Sequence, residues 1–306
     1  MKKIDISFIT INYNSSHLTY ELIKTILEFT SKELSYEIIV VDNASRSDEV
    51  SKLESYLAGF ENVILVKNKI NSGFASGNML GVNYASGEYF FFINNDTKLL
   101  NDAGMIMKKY LDVHRDIALA TAKVNDEKGN FSSSYKLFPS LTKELFGNSI
   151  ARKFSKHKFP SNKVKLEVPT LVEVVSGSCM LFRSKDFCDI GGFDTTFFLY
   201  CEEEDICKRV WNSGKKVIFL SEAEIFHASG GSTKKSFEIE REYYISYKHL
   251  IFKHFGLLSA TILLFLQLLK LFRRSFRREN GLKLFLFGLQ GFHNKHSLKY
   301  KQNLLG

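Results

Sequence analysis

Apolar runs that empty into polar clusters recur along the first hundred residues. Ile4 to Ile11 is a β-branched run that stops at Asn12-Tyr13-Asn14-Ser15-Ser16, after which Leu18, Leu22, Ile26 and Phe29 return at helical spacing. That pattern predicts a buried strand, a polar loop and an amphipathic helix. Glu37 to Val41 is a second apolar run ending in Asp42-Asn43-Ala44-Ser45, followed by helical spacing at Val50, Leu53 and Leu57 and a third run at Val63 to Val66. Asn71-Ser-Gly-Phe-Ala-Ser-Gly-Asn78 then opens a helix through Leu80, Val82 and Tyr84, and Tyr89 to Ile93 empties into Asn94-Asn95-Asp96-Thr97. Strands this apolar, alternating with helices, predict an α/β fold with a mostly parallel sheet covered on both faces. In such sheets ligands sit beyond the carboxyl ends of the strands, so Asn12, Asp42 and Asn71 are expected to converge on one crevice.

The second half is less regular. From Asn125 to Pro169 Lys and Ser clusters and all three prolines interrupt the pattern, which predicts an insertion of loops over the site. Order returns at Leu171 to Val175, at Ser176-Gly177-Ser178 and at Cys179 to Phe182. Phe197 to Tyr200 is expected to be a strand end leading into Glu202-Glu203-Glu204-Asp205, with a helix marked by Ile206, Val210 and Trp211. Two short strands, Lys216 to Leu220 and Glu224 to Phe226, would deliver His227 to a loop. Each polar cluster has two readings. Four adjacent acids complement a helix N-terminus, or form a cluster whose mutual repulsion tunes a base. The glycine segment is a turn before a helix, or a close approach of backbone to a phosphate. Asn94 to Thr97 is an Asx turn, or a carboxylate placed to hold a hard cation.

Composition adds mainly the position of the charge. The formal net charge is +9, and residues 251–306 hold ten Lys or Arg against the single Glu279, so the excess lies in the last segment. Helical spacing runs through Tyr243, Tyr244, Tyr247, Leu250 and Ile251. Leu257 to Leu269 is almost wholly apolar but falls short of the ~20 residues that span a bilayer. Gln267, Lys270, Arg274, Arg277 and Arg278 recur every three or four residues, which predicts a basic stripe on an apolar helix lying at an anionic membrane surface, or a helix packed on the main domain. Phe272, Phe276, Phe285 and Phe292 could stack on bases, but their apolar neighbours suit lipid better than nucleic acid. Cys179, Cys188, Cys201 and Cys207 have no zinc or CxxC spacing and are expected to be reduced, buried thiols. The start MKKIDISFITINYN has no long apolar stretch, so no signal peptide is expected and the chain is expected in the cytoplasm.

Taken in order, the segments FITINYNS, VVDNAS, NSGFASGN, FFINNDT, VSGSCMLFR, IGGFDTTFFLYCEEEDICKRVWNSGKKV and IFHASGGST resemble the family 2 glycosyltransferases, specifically the bacterial rhamnosyltransferase-like branch with the GT-A fold. The resemblance covers about residues 4 to 235, and implies a nucleotide-sugar-binding catalytic domain over 1–235 with a C-terminal helical, basic, membrane-associated extension over 236–306. It implies that Thr10, Asn12 and Tyr13 line the nucleotide pocket, that Asp42 meets the base, and that Asn71, Gly73 and Asn78 hold the sugar or diphosphate. Asn94-Asn95-Asp96 stands where the family has its DXD motif, with Asn in place of the first Asp. Asp96 and His227 are the implied ligands of Mg²⁺ or Mn²⁺. Gly177 and Ser178 fall on the acceptor side. Glu202 and Glu203 fall on the family's Glu-Asp pair, which makes Glu203 the expected base with Glu202 and Asp205 as the neighbours that could replace it.

The implied reaction is inverting transfer from a nucleotide-diphosphate sugar, dTDP-rhamnose or a UDP-sugar, to a hydroxyl of a lipid-linked or growing cell-surface polysaccharide. It needs a carboxylate to activate the hydroxyl, an ion to neutralise the leaving diphosphate, and exclusion of water, expected from Ser229 to Thr233 and from the 125–169 region. A competing class is a non-catalytic nucleotide-sugar-binding subunit recruited to the membrane, suggested by the substituted Asn94 and Glu203. Location on the cytoplasmic face of the inner membrane is the matching expectation. The sequence carries no signal for an oligomeric state.

Overall fold

The computed structural model describes residues 3–132, 134–155, 159–161, 164–228, 236–278, 280–302 and 304. The first half contains β1 (Ile6–Asn12), α1 (Ser16–Phe29), β2 (Tyr36–Asp42), α2 (Ser47–Leu57), β3 (Val63–Lys67), α3 (Gly73–Val82) and β4 (Tyr89–Ile93). Next come β5 (Thr97–Leu99), α4 (Ala103–Val113), β6 (Ile117–Asn125), β7 (Phe131–Ser132), β8 (Tyr135–Lys136), α5 (Leu141–Phe154), β9 (Thr170–Leu171) and β10 (Val174–Val175). The remainder is β11 (Cys179–Arg183), α6 (Ser184–Asp189), α7 (Glu202–Asn212), β12 (Lys216–His227), α8 (Phe237–His254), α9 (Leu257–Ser275) and α10 (Gly281–Leu289), with two 3-10 turns after it.

The central sheet runs β3-β2-β1-β4-β11-β6-β12-β5, with β7 against β6 and β9 against β12. Strands β3, β2, β1 and β4 are parallel, as the alternation of strands and helices predicts. The second half is mixed, and here the expectation of a mostly parallel sheet needs correction. β11 is antiparallel to both β4 and β6, because the chain reaches it from the 125–175 region at the carboxyl end of β4 and runs back. This leaves Ser178 beside that strand end, its carbonyl accepting the Asn94 N–H at 3.1 Å. The two short strands expected around residues 216–226 form one strand, β12, with a register shift between Leu220 and Glu224.

Period-two alternation divides the core between the two faces of the sheet. Ile9, Ile39, Val41, Phe90, Phe92, Met180 and Phe182 point to one face and meet Ile206, Cys207 and Val210 of α7. Phe8, Ile38, Val40, Phe91 and Leu181 point to the other and meet Leu22 and Ile26 of α1, Leu53 of α2 and Met107 and Leu111 of α4. The first face also takes up Tyr247, Leu250 and Ile251 of α8 and Ala260 and Leu263 of α9. Thus the extension expected beyond residue 235 is helical, but its α8 and the start of α9 share the core of the sheet.

Two further expectations change. The basic stripe is free only at Arg277 and Arg278, which are exposed: Gln267 is buried, Lys270 pairs with Glu144 of α5, and Arg274 chelates Glu240 of α8 with two 2.7 Å bonds. These side chains dock α9 onto its neighbours. Cys179, Cys201 and Cys207 are free and buried as expected, whereas Cys188 is exposed on α6. Among the described residues no helix is long and apolar enough to cross a membrane.

Candidate active site

The polar residues that end β1, β2 and β4 do converge. Asn12 and Asp42 are partners in register, and Asn12 Nδ2 donates to Asp42 Oδ1 at 2.8 Å, while the Ser45 N–H donates to Asp42 Oδ2 at 3.1 Å. Thr19 of α1 donates to Asn12 Oδ1 at 2.8 Å. Asn12 and Asp42 are both buried, so they form a bonded floor. Asn14 and Ala44 take left-handed conformations at the two adjoining turns, and Tyr13 projects into solvent with 45% of its surface exposed. Thr10 lies deeper, inside β1, and its buried hydroxyl has no hydrogen-bond partner among the described residues.

A second tier is organised by Asn43, a residue the pattern reading did not assign to the site. Its amide donates to Asn71 Oδ1 at 3.0 Å and to the Gly73 carbonyl at 3.1 Å. Its oxygen accepts from Asn68, from the Ser72 N–H and from the Ser72 hydroxyl. The loop before α3 is thereby fixed to the end of β2. Gly73 has φ +80°, and a Cβ there would overlap the Phe198 carbonyl, which accepts the Phe74 N–H at 2.8 Å. Only glycine fits both the left-handed backbone and the close approach. The glycine loop is therefore tied to the segment that leads into the acidic helix. Asn78 is buried inside α3 and turns its amide back to the Phe74 carbonyl.

After β4 the side chains of the Asn-Asn-Asp segment diverge. The Asn94 carbonyl closes a turn by accepting the Thr97 hydroxyl and N–H. Asn95 is buried, donating to Ser15 at 2.7 Å and Thr19 at 3.0 Å, and so ties this loop to the start of α1. Asp96 faces β12, and its Oδ1 lies 3.2 Å from His227 Nε2. Thr97 of β5 is the in-register partner of His227, which explains how residues 131 positions apart meet. Among the described residues no group of three or more metal-ligating side chains occurs. A carboxylate beside an imidazole nevertheless supplies two adjacent donors of the kind a divalent cation takes, with Mn²⁺ suited to the mixed set better than Mg²⁺. Gly177 and Ser178 sit at the neighbouring rim; the Ser178 hydroxyl bonds that of Ser176 at 3.1 Å. Ser229 to Thr233, expected to help exclude water, lie outside the described residues.

The acidic run is the first turn of α7, and the residues before it are not the expected strand end. Tyr200 and Cys201 both have left-handed backbones, at φ 71° and 69°, which no strand can contain. Such strain in two consecutive non-glycine residues collects where the surroundings over-determine a functional segment. Here Phe198 is held by Phe74, and Ser246 of α8 donates to the Leu199 carbonyl at 2.8 Å.

The four acids then part company. Asp205 is fully buried, and its oxygens are taken by Arg209 at 2.6 Å, Lys253 at 2.6 Å and His254 at 2.7 Å. Burial opposes its ionisation, but those partners, His254 foremost, hold its pKa below the ordinary value. It joins α7 to α8. Glu202 and Glu204 are buried, each with one oxygen lacking a hydrogen-bond partner among the described residues. Burial, reinforced by the charge of Glu203, pushes Glu202 well above the usual carboxylate range and Glu204 up to about 7. Glu203 is the most exposed of the four, its side chain 14% exposed against 9% for Glu204. Burial would raise its pKa too, yet Lys136 of β8, 3.0 Å from Glu203 and 2.5 Å from Glu204, overcomes that and holds Glu203 below the ordinary value. Lys136 reaches this point because β8 pairs with β10, which packs on α7. Nothing in the loosened 125–169 sequence singles it out.

The model of glycosyl transferase family 2 matches residues 7–191, more than half of the chain. The chain belongs to this family. Within it the chain is 28% identical over 222 residues to the rhamnosyltransferase WbbL of Escherichia coli K12, covering 70% of this chain and 80% of the relative. Its fold is similar to that of S. aureus TarS in complex with UDP-GlcNAc (TM-score 0.59, 16% identity, 94% of this chain and 80% of that one). It is also similar to GalNAc-T7 with UDP, GalNAc and Mn²⁺ (TM-score 0.59, 15% identity, 82% of this chain). The family member described here spans 48% of the GalNAc-T7 chain.

Proposed function

We propose that the protein is an inverting glycosyltransferase that moves a sugar from a nucleotide-diphosphate donor, dTDP-rhamnose or a UDP-sugar, to a hydroxyl of a lipid-linked or growing cell-surface polysaccharide, with Glu203 as general base. The observation that carries this is the sorting of the acidic run. Asp205 is committed to α8, burial pushes Glu202 well above the usual carboxylate range, and Glu203 is the most exposed of the four and is held below the ordinary value by Lys136. In the reaction Glu203 would accept the acceptor hydroxyl proton as that oxygen bonds to the anomeric carbon and the nucleoside diphosphate departs from the opposite face.

The donor would lie over the Asn12 and Asp42 floor with Tyr13 against the base, and the loop fixed by Asn43 would offer Asn71 and Gly73 to the sugar diphosphate. Asp96 and His227 would hold a divalent cation. When bound, that ion would supply charge neutralisation for the leaving diphosphate. Asn94 and Asn95 serve this reading through the backbone turn that aims Asp96. Gly177 and Ser178 would border the acceptor. We place the protein in the cytoplasm, peripheral on the inner face of the membrane where lipid-linked acceptors are found.

Incubating the purified chain with a panel of nucleotide sugars and saccharide acceptors, with NMR assignment of the product anomer, tests the reading. Transfer with inversion that Glu203→Gln abolishes supports it. Donor binding without turnover across the panel would favour a non-catalytic nucleotide-sugar-binding subunit instead.

A further inference from the structure

Three neighbouring helices turn apolar side chains to solvent in an order that the core does not explain. On α9, Leu258, Ile262, Phe265, Leu269 and Phe272 are exposed, and Phe276 just beyond its end continues the series. Their spacing of four and three residues puts them on one side of the helix, a stripe of about 27 Å at the α-helical rise. The buried positions Ala260, Leu263, Gln267 and Leu271 form a separate face of the same helix, turned to the protein. α9 therefore has two apolar sides, of which packing uses one.

α10 repeats the arrangement. Leu284 and Phe287 are buried against α8 and α9, while Leu282, Leu286 and Leu289 are exposed at the same spacing. α5, broken at Gly147 and packed against α9, buries none of its residues and exposes Leu145, Phe146, Ile150 and Phe154. A helix that buries nothing gains little from the domain it belongs to. Unpartnered apolar patches of this extent mark an interaction surface.

The charges beside the stripes identify the occupant. Arg273, Arg277, Arg278 and Lys283 are exposed around the junction of α9 and α10, and Lys153 is exposed near the end of α5. The acids close by, Glu144 and Glu240, are already paired with Lys270 and Arg274. An apolar face edged by exposed cations, with the neighbouring described acids Glu144 and Glu240 already paired, fits phospholipid headgroups over acyl chains, and a helix not long and apolar enough to span can lie in that layer.

We infer that the exposed apolar faces of α9 and α10, continued by α5, form a seat in an anionic lipid bilayer. The inference deepens the peripheral-membrane reading by replacing a basic stripe with an apolar contact surface, and by including a segment of the central insertion. It also orients the site. α5 starts five residues after Lys136, and Lys143 of α5 donates to the Leu137 carbonyl at 2.8 Å, so the seat is joined by a short stretch of chain to the residue that holds Glu203. A lipid-linked acceptor would meet the acidic helix from the bilayer side.

Flotation of the full chain with phosphatidylcholine vesicles, with and without about a third phosphatidylglycerol, tests this seat. Wild-type protein should float with the anionic vesicles. Phe265→Asp/Phe272→Asp, Leu286→Asp and Phe154→Asp should each lower the bound fraction by about tenfold or more while turnover of a soluble acceptor is unchanged. Arg273→Gln/Arg277→Gln/Arg278→Gln, which leaves the apolar stripe intact, should weaken anionic binding by about fivefold per charge. Absence of wild-type flotation overturns the inference. So does a stable dimer in solution that the Asp variants dissociate without any loss of vesicle binding, since a second copy would then be the occupant. Flotation without any donor turnover would sink the catalytic reading and leave the seat standing.

Discussion

Lys136 holds Glu203 at 3.0 Å from a two-residue strand at the edge of the site, and so sets the charge of a carboxylate that burial would otherwise neutralise. Removing the ammonium reverses the balance. In Lys136→Met, burial and the neighbouring acids act unopposed and the Glu203 pKa rises. The acid limb of the kcat/KM profile should therefore move toward neutral pH, with activity recovered at higher pH. A variant that is merely misfolded would lose activity at every pH.

Glu203→Gln should lower kcat by roughly 10² to 10⁴ with donor affinity kept, because proton acceptance is needed only in the transition state. Single-turnover kinetics beside donor titration would measure this. Normal turnover in Glu203→Gln with a dead Glu202→Gln would move the base to Glu202.

Asp205→Asn should behave differently. Its buried charge is shared by Arg209, Lys253 and His254, so the substitution removes the acceptor that joins them and should cost about 1–3 kcal/mol of stability. Thermal unfolding would register that loss. Unchanged stability with abolished turnover would return Asp205 to the chemistry.

Chelation should silence the enzyme and Mn²⁺ should restore it, with Mg²⁺ less effective at a mixed carboxylate and imidazole pair. Asp96→Ala and His227→Ala should each weaken the metal response while circular dichroism stays native. Full activity in EDTA would remove the ion from the reaction.

Stability should also depend on pH through the acidic helix. Glu204 is raised to about 7 and Glu202 is raised well above the usual range, so the folded state binds more protons than the unfolded chain. The Glu204 contribution is fully present below the ordinary carboxylate pKa and is lost as pH rises through about 7. The melting temperature should fall as pH rises from about 5 to about 7, and Glu204→Gln should flatten that slope.

Much of this arrangement is legible in the sequence. Strand ends at Asn12, Asp42 and Ile93 follow from apolar runs meeting polar clusters, and their convergence follows from parallel pairing. Three things were not legible. The reversed entry of β11 depends on where an irregular segment of some fifty residues returns. Lys136 acts through a long-range strand pair in that same segment, and local pattern carries no trace of such pairing. The distinct roles of four adjacent acids depend on their different directions around one helical turn, toward α8, toward the interior and toward solvent. Asn43 could have been found, since it directly follows the assigned Asp42 at the end of the second apolar run.

The core face that includes Ile9, Phe92, Ile206 and Val210 is closed by Ile251, Ala260 and Leu263. During synthesis those last residues emerge about fifty positions after the acidic helix they cover. Until then the nascent sheet carries an open apolar face, the kind of surface that invites chaperones or aggregation. A chain that stops between the acidic helix and α9 should thus be adhesive, because it carries a nearly finished sheet with one apolar face uncovered.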